Sequence, residues 1–489
     1  MVLDSQENRN KCICPQCPSF PPGCKREILF CAEGKSSCDI NARGCICELC
    51  PVYSENKLNG IYFCDKEESG ETKIYMRKKR TDEKDYFYQT ILDIKDIATG
   101  GSSIVRSMGS LKKMPFSFND LNFIPAQTDR IPLNKEEKVN TEIIIGPKAE
   151  RPLKLSSPIM ISGMSFGAVS KSVKLVILKV ASNLKIAFNS GEGGILEEEL
   201  KAASNFLIGQ YATGRFGINE EILKKVAAVE IRFGQGAYPG KGSYLPAGKI
   251  TPEIARIRKL KEGEAAYSPA HHNDMLNPEQ IKEKVSWLRE ITKGVPVGAK
   301  IGCGNIEKDI QVLVDAGVDF IALDGFGGGT GATDFYVREN VGIPIIAALP
   351  RASKYLKKVK AKDRISLIAA GGLRSAADFA KCIALGADAV YIGTAALIAI
   401  NCEQFRICHT GLCPTGITTH NPALVKQLNI EKGIERLSNF IRVSTEEMSN
   451  LARIAGKDDV RKLDSADLVS LNKDLADITG TQWLNGGYE

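Results

Sequence analysis

From Pro158 onward, short apolar runs alternate with longer stretches whose apolar positions recur at helical spacing, the pattern of repeated strand–helix units. Eight runs stand out: PIMISGM from Pro158, KIAFNS from Lys185, VAAVEIRFG from Val226, VPVGAKIG from Val295, DFIALDG from Asp319, IPIIAAL from Ile343, SLIAAGG from Ser366 and AVYIGTA from Ala389. Eight parallel strands over roughly 250 residues predict an α/β chain closed into a (β/α)8 TIM barrel, whose reactive residues lie where strands end and loops begin. A doubly wound sheet is the alternative. It is disfavoured because no GxGxxG opens the first unit and eight similar units favour closure. After His420, stretches such as IERLSNFIRV and LARIAG carry apolar positions at helical spacing and predict a helical extension that covers the barrel or contacts another subunit. Before the barrel, residues 67–153 are mixed and turn-rich, with an alternating stretch VNTEIIIGP from Val139, and are expected to pack on the main domain. The expected organisation is therefore 1–66, 67–153, 154–420 and 421–489.

Cysteine changes the picture of the N-terminal part. Ten of the fifteen cysteines fall between Cys12 and Cys64; the others are Cys303, Cys382, Cys402, Cys408 and Cys413. CICPQCPSF from Cys12 returns as CICELCPVY from Cys45, and the FC pair ending at Cys31 returns at Cys64, always 33 residues on. The repeat yields two equal sets, Cys12/Cys14/Cys17/Cys31 and Cys45/Cys47/Cys50/Cys64, while Cys24 and Cys38 have no counterpart. Four thiolates suit either a 4Fe-4S cubane or a tetrahedral zinc ion. Two 4Fe-4S clusters are the favoured reading, because the spacing matches neither the usual ferredoxin run nor the zinc-ribbon pair. Each cluster can also take its fourth ligand from the other repeat, and the sequence leaves that grouping open.

Overall composition is that of a soluble protein: 489 residues, 43% hydrophobic, 25% charged. The net charge of +7 is spread along the chain, and the local basic runs Met76–Arg80 and Lys354–Lys362 read as solvated faces rather than a nucleic-acid site. No export signal opens the chain, and the longest uncharged apolar run, Ala389–Ile400, is too short to span a bilayer, so a cytoplasmic location without membrane contact is expected.

Within the barrel, Gly371 and Gly372 follow the seventh run and Gly393 and Thr394 the eighth. These are the positions at which TIM barrels commonly bind a phosphate, so FMN or a similar ligand is expected there. Lys300 closes the fourth run in an apolar setting and needs an anion, either the flavin N1/C2 edge or Asp324 on the next run. Glycine-rich loops at Ser162–Gly167, Ser190–Gly194 and Gly325–Asp334 allow close backbone approach to a planar cofactor.

ISGMSFGAVS, SGEGG, YATGRFGI, GQGAYPG, GGGTGA, AAGGLRS and C-x5-C-x4-C followed by PTGI resemble, in order and spacing, the FMN-binding synthase domain of glutamate synthase, especially the stand-alone form of archaea and some bacteria. The likeness runs from about Leu153 to His420. It implies a 3Fe-4S cluster on Cys402, Cys408 and Cys413. It also implies a flavin and 2-oxoglutarate site around Ser162, Met164, Ser165, Glu192, Arg215, Gln235, Lys300, Gly328, Gly329, Thr330, Gly371, Gly372, Gly393 and Thr394. The implied reaction condenses 2-oxoglutarate with ammonia to 2-iminoglutarate, which reduced FMN converts to glutamate. Arg215 and Lys300 would hold carboxylates or the flavin, and Glu192 would orient the imine or handle its proton. With no NAD fingerprint in the chain, ferredoxin or a similar one-electron carrier is the expected reductant.

Departures bear on the substrate more than on the cofactor. The chain opens at Met1–Val2 without an N-terminal cysteine nucleophile or a glutaminase domain, so ammonia is expected from solution or a separate glutaminase subunit. The family's usual lysine in GQGAKPG is Tyr238 here. The residues after His271 and His272 also differ from the family's, and the pair is read as a polar loop. The alternatives are a relative acting on another 2-oxoacid or using methylamine, and a non-catalytic flavin and iron–sulfur relay subunit. An oligomer is expected.

Overall fold

The structure, a computed structural model, describes residues 2–21, 27–40, 45–58, 60, 62–65 and 83–485, with only the backbone described for 83–89. Cys24 and the basic run 76–80 lie outside the described residues. The chain forms two compact units, Met1–Gly100 and Gly101–Glu489. Among the described residues no helix is long and apolar enough to cross a membrane.

The first unit is made of short pieces. Helix Gln6–Lys11 is capped by Ser5, whose hydroxyl accepts the Asn8 N–H. The 33-residue repeat survives as backbone geometry: 3-10 turns at Cys14–Gln16 and Cys47–Leu49 correspond, each closed by a cysteine in extended conformation. Leu29 and Tyr62, also 33 residues apart, both take left-handed φ angles, 62° and 56°. A small core of Val2, Leu29 and Val52 includes Cys50. Cys38 is disulfide-bonded, whereas the eight repeat cysteines are thiols. Helix Glu83–Gly100 belongs to this unit.

The second unit is a closed eight-stranded parallel barrel. Its strands are β1 (Ile159–Ile161), β2 (Phe188–Asn189), β3 (Leu207–Ala212), β4 (Ala228–Arg232), β5 (Val297–Gly302), β6 (Phe320–Asp324), β7 (Ser366–Ala370) and β8 (Ala389–Ile392). Each pairs with the next, and β8 closes on β1 through the pairs Val390–Ile159 and Ile392–Ile161. The strands are buried on both faces, so they read as near-continuous apolar runs. Along β6, Phe320 and Ala322 face the barrel interior while Ile321 and Leu323 pack against the helices. An antiparallel hairpin, Ile143–Ile145 with Leu153–Leu155, seals the N-terminal end, its Ile143, Ile145, Leu153 and Leu155 joining the interior cluster.

One of the expected runs is corrected, and one strand lies where none was expected. Ile343–Leu349 is no strand. After Pro344 the chain enters helix Ile345–Lys358, whose buried Ile345, Ile346, Leu349, Ala352, Ser353 and Leu356 repeat at helical spacing. The missing strand is β3, hidden because it contains Gly209 and Gln210. Gln210 is nonetheless buried, since its amide donates to Glu230 on β4 at 2.9 Å. Lys300 therefore lies in the fifth strand, while the glycine turns still follow the seventh and eighth.

The C-terminal extension is helical where expected: the 25-residue helix Ile430–Ile454 packs on helix Lys171–Leu184. It also supplies strand Leu468–Ser470, which pairs with Leu121–Phe123 and with Gln482–Trp483.

Candidate active site

One large cavity opens at the C-terminal ends of the barrel strands. Ser162, Met164 and Ser165 reach it from beyond β1, Glu192 from beyond β2 and Gln235 from beyond β4. Lys300 comes from β5, and Gly328, Gly329 and Thr330 from the loop after β6. Gly371 and Gly372 follow β7, and Gly393 and Thr394 follow β8. Cys402, Cys408 and Cys413 line the same cavity. Arg215 is absent from its wall.

One buried charged group there has no motif to mark it in the sequence. Arg232, at the end of β4, is 4% exposed and donates to Glu192 Oε2 at 2.7 Å. Ser268 donates to the same oxygen at 2.9 Å, and Ser243 donates to Glu192 Oε1. Burial pushes the Glu192 carboxyl up, but the Arg232 charge and the two hydroxyls outweigh it, so the group lies below the usual range and stays ionised. Tyr238 accepts from Arg232 Nη1 at 2.9 Å and donates to Gln235 Oε1 at 3.0 Å. Burial pushes its phenol up to about 12, so it remains a neutral donor. Arg258 is buried too, donating to Phe166 O and, at 2.9 Å, to Ser165 Oγ. Burial lowers its guanidinium to about 10 despite the pull of Glu192.

Lys300 Nζ meets Asp324 Oδ2 at 3.0 Å, both side chains buried, and lies 3.4 Å from Ser162 Oγ. Asp324 is thus the anion its setting demanded. Glu230 accepts from Asn189 at 2.8 Å and from Gln210 at 2.9 Å, and Gln210 also lines the cavity.

The cysteine loop has an unusual backbone. Asn401, Gln404 and Arg406 all take left-handed φ angles of 101°, 54° and 60° within six residues, a strained course that persists only where the surroundings impose it. Burial raises the Cys402 and Cys408 thiols, whereas hydroxyls of Thr415 and Thr418 outweigh burial at Cys413 and lower it. The Thr418 hydroxyl, buried against Cys408 and Cys413, makes no ordinary hydrogen bond. Lys249, 2% exposed, donates to Cys408 O at 3.2 Å and Ala168 O at 2.9 Å, placing a buried cation beside the loop. Cys303 and Cys382 lie instead in the packing between strands and helices.

Arg215 sits behind the wall. Its guanidinium lies 3.7 Å from the centre of the Tyr211 ring, pairs with Asp274, and donates to His272 Nδ1 at 2.7 Å. His272 is 1% exposed and in turn donates from Nε2 to Arg232 O at 2.9 Å. Arginine is only a donor, so Nδ1 must accept and the imidazole is neutral. Burial and Arg215 accordingly lower its pKa to about 4. The expected polar loop is therefore half right: His271 is exposed, while His272 is a buried link from Arg215 to the Arg232 backbone.

The residues present fit the groups the resemblance implies. Gly372, Gly393 and Gly331 turn bare Cα atoms to open space: an added Cβ would meet nothing nearer than 3.7, 3.8 and 3.7 Å, so a planar ligand has room to lie on their backbone. Three thiols, an underused hydroxyl and a buried ammonium at one wall suit an anionic sulfur cluster with three protein ligands. In the first unit all eight repeat thiols line one cavity with Ile13, Phe20, Phe30, Ile46, Tyr53, Leu58 and Phe63.

The family described as a conserved region in glutamate synthase matches residues 92–458, and one described as a protein of unknown function, DUF2769, matches 12–65. A glutamate synthase large subunit-like protein of Rhizobium meliloti is 36% identical over 421 residues, covering 81% of this chain and 95% of its own. An archaeal glutamate synthase (NADPH) of Methanocaldococcus jannaschii is 37% identical over 422 residues, 80% and 82% of the two chains. An archaeal-type glutamate synthase (NADPH) of Thermotoga neapolitana is 39% identical over 321 residues, 65% and 63%.

Proposed function

The chain belongs to the glutamate synthase family, and on that premise we propose that it is a glutamate synthase-type oxidoreductase that reductively aminates 2-oxoglutarate with ammonia. The barrel mouth would hold FMN, and the cysteine thiols would hold iron–sulfur clusters that supply its electrons one at a time. The observation that carries this reading is the single cavity shared by glycine turns, buried arginines and three cysteines. When bound, FMN supplies the two-electron reduction of the imine formed from 2-oxoglutarate and ammonia.

The backbone at Gly371–Gly372 and Gly393–Thr394 would receive the cofactor's phosphate, and Gln235 is held at the cavity wall by its bond to Gly329 O at 3.0 Å. Cys402, Cys408 and Cys413 would hold a 3Fe-4S cluster. Arg232 and Arg258 offer guanidinium forks to the substrate carboxylates, the geometry best suited to two oxygens at once. Lys300, neutralised by Asp324, contributes less net charge than a lone lysine and serves mainly to position polar groups near Ser162. Glu192 spends three of its roughly four acceptor sites on Arg232, Ser243 and Ser268. The remaining site orients the N–H of ammonia or of the imine. Arg215 acts through His272 and the Arg232 backbone rather than on substrate.

A one-electron carrier of the ferredoxin type is the reductant in this reading, entering through the N-terminal cysteines, and ammonia comes from solution or a separate glutaminase subunit. The names of the relatives specify NADPH and favour a second reading, in which the nucleotide delivers electrons through a partner protein. Anaerobic incubation with 2-oxoglutarate, ammonium and either reduced ferredoxin or NADPH separates them: the first predicts glutamate with ferredoxin alone. No glutamate from either reductant, with ammonium or with a glutaminase subunit supplied, would refute the function itself.

A further inference from the structure

We infer that the N-terminal unit holds two four-thiolate cluster sites, each completed by the third cysteine of the opposite repeat: Cys12, Cys14, Cys31 with Cys50, and Cys45, Cys47, Cys64 with Cys17. The grouping deepens the reading of this unit as the electron entry and rests on it only for the ligand being an iron–sulfur cubane.

Geometry assigns the exchange. Cys50 caps helix Pro51–Glu55, and that helix packs on Gln6–Lys11, with Glu55 paired to Lys11 at 2.9 Å. The contact sets Cys50 next to the start of the first repeat. Its Sγ lies 3.9 Å from Lys11 O, and its apolar surroundings include Cys12, Ile13 and Cys31. The mirror relation holds for the other site: Cys31 has Cys12 and Cys50 as its thiol neighbours, and Cys64 has Cys45 and Cys17. The two halves repeat in detail. Cys17 and Cys50 each follow a 3-10 turn with matching backbone angles, φ −70° and ψ 133° against φ −80° and ψ 131°. The left-handed Tyr62 donates its N–H to Cys45 Sγ at 3.2 Å, and left-handed Leu29 stands in the same relation to Cys12.

The surroundings of the thiols suit a cubane. It takes one thiolate per iron, and backbone N–H donors to sulfur together with an apolar wall are the features that tune such clusters.

The test uses the full chain, purified anaerobically, with each of the eight cysteines changed singly to serine, so that the altered site keeps three thiolates. Iron, zinc and acid-labile sulfide are counted, and EPR spectra of the reduced proteins are compared. The parent chain should carry about eight irons in this unit beyond those of the barrel triad. Cys50→Ser should alter the same resonance as Cys31→Ser, and Cys17→Ser the same one as Cys64→Ser. Sorting of Cys17 with Cys31 and of Cys50 with Cys64 would overturn the exchange. So would uniform loss of all eight irons from every variant, because separate sites predict two classes. Two zinc ions and no excess iron would overturn the ligand. None of these readouts depends on glutamate formation, so failure of the synthase reading and failure of the grouping are told apart.

Discussion

Breaking the Lys300–Asp324 pair offers the sharpest quantitative test of the barrel site. Both side chains are buried, 2% and 7% exposed, with Nζ and Oδ2 3.0 Å apart. At an effective dielectric of about 20 their attraction is about 5–6 kcal/mol, and much of it offsets the cost of removing two charges from water. The pair as a whole therefore contributes little, but either charge left alone is expensive. Lys300→Met should destabilise the barrel unit by about 3–5 kcal/mol, and Asp324→Asn by a comparable amount. The double variant should fall short of the sum by about 2 kcal/mol, since neither charge is then stranded. Urea unfolding of the FMN-loaded protein, followed through Trp287 and Trp483, reports this, because both tryptophans lie in the second unit. The potential of bound flavin supplies a second reading: it should drop in Lys300→Met and rise in Asp324→Asn. Additivity of the two substitutions within about 0.5 kcal/mol would refute the buried pairing.

Other expectations follow from the same wall. Below pH of about 6.5 the unfolded chain protonates at residue 272 while the folded chain resists until about 4, so stability should decline across that window by up to about 3 kcal/mol. His272→Gln should flatten that decline relative to the parent chain in parallel urea titrations; an unchanged slope would count against a neutral buried imidazole. Tyr238→Phe strands Arg232 Nη1 and the Gln235 amide oxygen, and kcat/KM for 2-oxoglutarate should fall by about 10- to 100-fold, in line with about 1–3 kcal/mol for an unmet buried partner. Cys413→Ser should remove about three irons and the three-iron EPR signal while Cys303→Ser removes none; equal loss from both would argue against the triad. Gly191→Ala should impair folding, because its φ is 69° and the new Cβ would lie 2.5 Å from Ser165 N, visible as a lowered Tm of the barrel unit.

Much of the barrel was legible because strands buried on both faces print themselves as unbroken apolar runs, and glycine turns mark where they end. What defeated the reading were residues whose burial depends on a partner far along the chain. Gln210 breaks the apolar run of β3 and is tolerated only because Glu230 waits on the adjacent strand. Ile343–Leu349 is apolar enough for a strand, and the following Ala352, Ser353 and Leu356 reveal the helical period only when the window is lengthened. The cavity residues were found where a motif names them. Arg232 and Arg258 went unnoticed, one at the end of a strand and one at the end of a helix, because an arginine there looks like a solvated end until Glu192 and Phe166 O are seen to enclose it. The charge closing the otherwise apolar VAAVEI run was the available signal. Arg215 shows the converse: its motif was plain, yet Asp274 and His272 hold it behind the wall.

The seam between β8 and β1 bears on how the protein is made. β8 follows β1 by some 230 residues, so the growing chain passes through a long stage as an open sheet with exposed edges, the state most prone to wrong pairing. The long helix Ile430–Ile454 then lies across helix Lys171–Leu184, beside the first strand, and fastens the closed ring from outside. Loop 401–420, carrying the three cysteines, emerges between those two events. Neither the glycine turns nor the thiols face one another until β8 and loop 401–420 have both emerged, so a ligand bridging them is acquired only after the ring has closed.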